Sequence, residues 1–330
     1  MDKITEFCQP IADAIISGLE KVQADGCKWE MPWSAPKHRP YNWLTKEPYH
    51  GMNTFILAAC QYNKGYRHPY WLTFKQMKTV EAQFNADTGF TDEVHLTNKG
   101  AKSTRCLKVD RYPRKGYKKV SPTQYISPTG QSCGPAEAES FYSNVFNLFN
   151  VDQISGWPDG MWSDPIQSDH IEPSYDPCIG WWRSAGPQLP PLERRDYAAY
   201  SPPHDVVYMP DLAAFTEESH YWSTLLHEFS HATSHKKRVG RDVKTRAEIK
   251  AYAVEELIAE FSASYLTAFF GIEGDLQHKE YIGSYAEVLK NDPTIIRTCA
   301  SEADKAATWL LKAGAMDWHN PFKTNEEIAA

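Results

Sequence analysis

The sequence predicts an α+β protein of two domains, an N-terminal domain of mixed α/β structure followed by a C-terminal domain that is mainly helical. Three observations carry this expectation. The chain has 330 residues, 42% of them hydrophobic, which is enough for two cores of ordinary size. Strand-like runs and helical repeats alternate up to about residue 154, whereas helical patterns dominate from residue 196 onward. Charge divides the same way: residues 1–120 hold 19 Lys+Arg against 12 Asp+Glu, and the remainder 16 against 30, within a net charge of −7. We therefore expect domains at 1–154 and 196–330, joined by an irregular connection over 155–195 where proline and glycine recur.

Taken in order, Ile4, Phe7, Ile11, Ile15, Leu19 and Val22 repeat with helical spacing, and the run stops at Gly26. A segment dense in Trp, Tyr and Pro follows, with Trp29, Trp33 and Trp43 interleaved by Lys28, Lys37, Arg39 and Lys46. Rings and cations in alternation suit single-stranded nucleic acid, which is held by base stacking and phosphate neutralisation; ordinary core packing of the rings is the competing reading. A short helix is expected at about 53–62, a strand at Tyr70–Phe74 and a helix at Phe74–Phe84. Between Lys99 and Lys119 the chain carries Lys99, Lys102, Arg105, Lys108, Arg111, Arg114, Lys115, Lys118 and Lys119 against Asp110 alone. Leu107 and Val109 suggest a β-hairpin arm inside this basic run, and 121–140 reads as a loop. Phe141–Asn147 is a strand candidate that could close the first sheet. In the connection, Trp181 and Trp182 are expected at the surface. Asp205–Pro210 reads as a strand, and helices are expected from Thr216 to about Arg238, from about Arg246 to Phe270, and near 278–290 and 294–313.

Composition excludes several classes. The seven cysteines are scattered, odd in number and never spaced C-x-x-C, as in a reduced cytosolic protein rather than a disulfide frame. The N-terminus lacks a secretory pattern, and no apolar run approaches the roughly 18 residues of a membrane span. A cytoplasmic protein without membrane contact is the expectation.

One stretch specifies a chemistry. In Leu225-Leu226-His227-Glu228-Phe229-Ser230-His231 two histidines four apart lie one turn above each other on a helix, so both imidazoles reach one ion while Glu228 faces a water. This is the H-E-x-x-H pattern of zinc peptidases, which take a third protein ligand and leave the fourth position to water. The long helix offers Glu255, Glu256 and Glu260. Glu256 shares a face with Tyr252, Ala259 and Ala263, where small residues admit a neighbouring helix, so it is the expected ligand, with Glu255 and Glu260 as alternatives and Glu260 otherwise supporting a histidine. A solvated helix face is the ordinary use of such glutamates. His235, about 12 Å along the axis from His227, is too far to join them; it, Tyr252 and Arg238 are candidates for the substrate side. Zn²⁺, with Mn²⁺ or Co²⁺ as alternatives, would acidify the water and polarise a carbonyl, with Glu228 carrying the proton to the leaving amine.

The chain also resembles the ArdC family of antirestriction proteins, found on conjugative plasmids and other mobile elements. In the second half the resemblance lies in Tyr200-Ser201-Pro202, Met209-Pro210 leading to Phe215, His227 to His235 with Arg238, and Tyr252 to Glu260. In the first half it lies in Trp29 and Trp33, Tyr49-His50-Gly51-Met52-Asn53, Trp71 to Gln76, Lys99-Gly100-Ala101-Lys102, Val145-Phe146-Asn147 and Asp152-Gln153. It implies an N-terminal single-stranded-DNA-binding domain related to part of a plasmid primase and a C-terminal zincin-like metallopeptidase domain. It adds Asn53, Trp71 and Lys75 to the DNA-contact candidates Trp29, Trp33, Lys37, Arg39, Lys99, Lys102 and Arg105. The chain departs from the family at Ala232-Thr233-Ser234-His235, where Trp-Thr-Gly-His is usual, and its 121–140 and 155–195 segments are longer. Three functions compete on these residues: DNA protection with a peptidase acting on a host protein, a DNA-coating module with a structural metal, or a protease of protein–DNA crosslinks.

Overall fold

The computed structural model describes residues 3–25, 39–88, 94–121, 124–158, 161–162, 175–241, 249–272 and 282–318. The first helical repeat forms α1 (Lys3–Asp25), which buries Phe7, Cys8, Ala12, Ile15 and Ile16 along one stripe. There follow β1 (Tyr41–Asn42), α2 (Met52–Lys64), β2 (Tyr70–Leu72), α3 (Phe74–Thr88), β3 (Thr104–Pro113), β4 (Lys118–Ser121), β5 (Gln124–Ile126), β6 (Ser132–Cys133), α4 (Pro135–Ala138) and β7 (Glu139–Asn150).

Four of these strands make a sheet in the order β1-β2-β7-β3, with β1 parallel to β2 and the other pairs antiparallel. All three residues of β2 are buried because helices cover both faces of the strand. Trp71 packs with Leu57 of α2, while Leu72 packs with Met77 and Val80 of α3. Asn53 ties α2 to β3: its side chain donates to the Leu107 carbonyl at 2.8 Å and accepts from the Leu107 N–H at 2.9 Å.

The basic run folds differently from the expected hairpin. The partner of β3 is β7, paired from Thr104↔Leu148 to Pro113↔Glu139. The expected loop at 121–140 contains β5, β6 and α4, and β4, β5 and β6 form a small antiparallel sheet. Its strands are two to four residues long, too short to show an alternating pattern between turn residues.

The second half comprises α5 (Asp176–Ala185), β8 (Leu192–Arg194), β9 (Ala199–Ser201), β10 (Val206–Met209), α6 (Glu218–Ala232), α7 (Ile249–Phe270), α8 (Ile282–Asn291) and α9 (Ile295–Ala313). In its sheet β10 pairs parallel with β8 and antiparallel with β9. The expectation of an irregular connection is corrected over 176–185 by α5, and that of a surface Trp181 by its burial, while Trp182 is partly buried. Pro177 stands in the first turn, where a missing N–H costs nothing, and Gly180 is tolerated inside the helix. Trp181 is fully buried and donates Nε1–H to the Leu310 carbonyl at 2.6 Å. The approach is so close that a Cβ on Gly314 would lie 2.2 Å from the indole. The metal helix also begins later than expected: Glu217, with no side-chain cap, precedes α6, and Thr216 Oγ1 lies 3.4 Å from His220 Nδ1.

Helix α7 is apolar nearly all round because α6, α8 and α9 surround it. The first helix joins this group, packing on α8 and α9 within one continuous core. A buried ion pair closes the seam nearby. Arg39, its side chain 1% exposed, donates to Asp304 of α9 at 2.6 Å, and Asp304 also accepts from the Gly51 N–H at 3.2 Å.

Burial alone would raise the Asp304 carboxyl, but His50 and Arg39 hold it below the usual carboxylate range. Asp304→Asn strands the Arg39 charge, and urea unfolding at pH 7 should show a loss of about 3–5 kcal/mol. Because the folded value is depressed, the pair's contribution is complete above the ordinary aspartate range and is lost as pH falls through the folded value. The wild-type advantage over Asp304→Asn should therefore shrink below about pH 4.

Candidate metal centre

Helices α6 and α7 cross where their side chains are small, with Ser230 donating to Ser262 at 2.9 Å. This close approach brings the histidines of one helix onto the carboxylates of the other. His227 Nε2 lies 3.5 Å from Glu256 Oε2, His231 Nε2 lies 3.4 Å from the same oxygen, and the two Nε2 atoms are 3.0 Å apart. A four-coordinate ion with ligand bonds of about 2.1 Å holds its donors about 3.4 Å apart. The three atoms therefore fit one divalent ion, and two neutral imidazoles with a carboxylate are a donor set of the kind zinc takes.

The opposite ring nitrogens meet further carboxylates. His227 Nδ1 lies 3.5 Å from Glu260 Oε1, and His231 Nδ1 lies 3.3 Å from Glu255 Oε1. Burial disfavours the charged forms of both histidines, but this ring of carboxylates prevails. His227 is held well above the ordinary histidine range, and His231 is pushed up to about 9. Burial alone would raise Glu256, but the two imidazoles hold it far below the usual carboxylate range. Desolvation would raise Glu255, yet His231 and Arg241 keep it low.

Glu228 projects toward β9, where the Tyr200 N–H donates to its Oε2 at 2.7 Å. The carboxylate thus has one oxygen fixed by a backbone amide, and its charge bears on His227. Of these groups His231 is the most open, with 12% of its side chain exposed against 0% for His227 and 2% for Glu256.

The helix does not run on to Arg238. It ends at Ala232, and the chain reverses through Gly240, whose φ of +75° lies in the left-handed region that glycine favours. His235 is therefore beyond the helix, 3.8 Å from Asp205. Arg238 is turned inward: its side chain is 4% exposed, and its guanidinium is committed to Asp205 and to the Ala232 carbonyl. Tyr252 is partly buried in the first turns of α7.

The sequence reading did not find Arg241, Asp205 or the Tyr200 amide. Arg241 grips Glu255 through two N–H groups, while Asp205 accepts from the Tyr200 hydroxyl and from Arg238. Only the position of Gly240, a turn signal just before Arg241, hinted that the chain comes back.

Among the DNA-contact candidates, Trp29, Trp33 and Lys37 lie outside the described residues. Three others are corrected: Arg39 is spent on Asp304, Asn53 on the backbone of β3, and Trp71 is a fully buried core ring that no base can stack on. Lys75, Lys99, Lys102 and Arg105 are exposed. So are two rings not singled out from sequence, Phe74 at 54% and Tyr112 at 45%.

A zincin-type site joined to a second, sheet-centred unit defines the class of protein. Residues 191–302 match the zincin-like metallopeptidase family MPTase-PolyVal, and residues 5–149 match the N-terminal domain of anti-restriction factor ArdC. The chain thus pairs an ArdC-type N-terminal domain with a zincin-like metallopeptidase domain. It is similar to ArdC from the R388 plasmid, solved both metal-free (28% identity, TM-score 0.65, covering 93% of this chain and 97% of that one) and with Mn(II) bound (26%, 0.65, 98% and 100%). It is 28% identical over 325 residues to the DNA primase TraC of Escherichia coli, spanning 92% of this chain but 27% of the primase. It is 26% identical over 320 residues to the uncharacterized protein y4eC of Sinorhizobium fredii (strain NBRC 101917 / NGR234), covering 93% of this chain and 92% of that protein. Among the described residues no helix is long and apolar enough to cross a membrane.

Glu228→Gln keeps an acceptor for the Tyr200 amide, whereas Glu228→Ala leaves that N–H without one in a buried setting. Chemical denaturation should find the alanine variant about 1–3 kcal/mol less stable than the glutamine variant; equal stabilities would show that the hydrogen bond does not hold Glu228.

Proposed function

We propose that this protein binds single-stranded DNA of a mobile element through its first half and carries a metal-dependent peptidase site in its second, acting on a host protein to protect the incoming strand. The observation that carries the peptidase reading is the convergence of His227, His231 and Glu256 within ion-binding distance, with Glu228 next to His227 in α6 and its charge acting on that ring. The Mn(II) found in the R388 protein supports a divalent ion here, Zn²⁺ being the first choice for this donor set. When bound, the ion supplies Lewis acidity, drawing the pKa of a water toward about 7 and polarising a peptide carbonyl. His227, His231 and Glu256 hold it; Glu260 and Glu255 turn the imidazoles toward it. Glu228 accepts a proton on the oxygen not taken by the Tyr200 amide and delivers it to the departing amine.

DNA binding is supported by the exposed cations Lys75, Lys99, Lys102 and Arg105 and by the exposed rings Phe74 and Tyr112 on the same half. Cations neutralise phosphates and release counterions, and rings stack on bases of any identity. The ArdC-type N-terminal domain agrees with this, as does the likeness to a segment of a DNA primase.

One observation favours a second reading, a DNA-coating protein whose metal only braces the helices: Glu228 is 2% exposed, so the centre is open chiefly at His231. The two separate on one comparison. Glu228→Gln should retain metal and fold and abolish peptide cleavage, and DNA protection in cells should fall with it; protection that survives while His227→Ala abolishes it would establish the bracing role. Metal analysis should find about one ion per wild-type chain and none in His227→Ala or Glu256→Ala. Binding to a single-stranded oligonucleotide should weaken steeply with salt and exceed binding to duplex. Replacing Lys99, Lys102 and Arg105 together with glutamine should flatten the salt slope by about three contacts, and an unchanged slope would place the DNA elsewhere.

A further inference from the structure

Arg241 makes four hydrogen bonds beside the metal centre, none of them, among the described residues, to the three donor atoms or to Glu228. Its Nη2 donates to Glu255 Oε1 at 2.6 Å and its Nε to Glu255 Oε2 at 3.1 Å. Nη2 also reaches the Ser230 carbonyl at 2.9 Å, and Nη1 reaches the Thr233 hydroxyl at 2.6 Å. The Glu255 oxygen shared with Nη2 is the one 3.3 Å from His231 Nδ1. The guanidinium therefore spans the last turn of α6, the turn after it and the first part of α7, with its side chain 6% exposed.

We propose that Arg241 is a positioning residue for the metal centre, acting through Glu255 on His231. The inference rests on the metal-site reading above and names a residue that the reading does not require. The physical case is one of fixed direction. A lone carboxylate has several rotamers and can turn either oxygen to an imidazole, but a planar fork that occupies both oxygens leaves it one orientation. Held there, Glu255 accepts the Nδ1–H of His231, so the lone pair of that ring resides on Nε2, the nitrogen that faces Glu256 and His227. The bonds to Ser230 and Thr233 make the fork part of the end of α6, which keeps the carboxylate in step with the histidine it orients.

The test measures metal affinity, with Mn²⁺ and Zn²⁺ as probes in competition against a chromophoric chelator. The proteins are the full-length wild type, Arg241→Gln, Glu255→Gln and the double variant. Each single change should weaken binding by about 10- to 100-fold, the range found when partners behind a metal-bound histidine are lost. The double variant should bind no more weakly than Glu255→Gln alone, because both changes break one chain of contacts. Asp304→Asn, which opens another buried arginine pair away from the centre, should keep wild-type affinity while losing stability. The proposal is overturned if Arg241→Gln binds metal as wild type does, or if its loss adds in full to that of Glu255→Gln. A loss equalled by Asp304→Asn would reduce Arg241 to general bracing and overturn it too. Should Arg241→Gln fail to fold, wild-type affinity in Glu255→Gln would suffice to overturn it. If wild type and His227→Ala are alike in taking no ion, the metal-site reading falls and this inference with it; if they differ but Arg241→Gln matches wild type, only this inference falls.

Discussion

The structure depends on the crossing of α6 and α7, where two helices are close enough to bury five ionisable side chains between them. Such burial is costly, and it is tolerated only where each charge finds an opposite partner. Here both histidines are bracketed by carboxylates, and Glu255, behind His231, is gripped in turn by Arg241. The crossing needs Ser230 and Ser262 at its contact point, since larger residues would push the helices apart. Packing and chemistry are thus one constraint at this site.

Much of this was legible in the sequence because it is local. The i,i+4 histidines stand on one helix, and the carboxylate choice followed from which face of α7 carries alanines, so the arrangement could be argued from period alone. What sequence could not give is contact made by folding back. Arg39 looks like any basic residue in an aromatic-rich segment; its partner is Asp304, 265 residues away, and no pattern joins them. Trp71 enters the candidates through the family resemblance, and neither likeness nor sequence shows that α2 covers its ring. Arg241 carries no pattern of its own, because its contacts come from a reversal at Gly240 that returns it to α6 and α7.

The fold errors have similar causes. Short strands between turn residues carry no period, so β5 and β6 were read as loop, and a hairpin was expected where β3 instead pairs with a strand beyond an inserted small sheet. Proline and glycine suggested a linker where they occupy the two places in α5 that tolerate them. The departures from the family pattern, Ala232 and Ser234, flank Thr233, which keeps the usual residue, closes α6 and accepts from Arg241.

The position of α1 bears on how the protein can be divided. The helix that opens the chain lays Phe7, Ile15 and Ile16 into the same apolar mass as Leu289, Ile296 and Leu310, and Glu20 reaches Lys290 at 2.7 Å. Severing the polypeptide between its two recognised halves would therefore leave the distal fragment with a greasy scar where its opening helix had lain. A fragment meant to be self-sufficient must carry that helix with it, so the boundary that matters for cooperative unfolding is not the one that a linear map of the chain suggests.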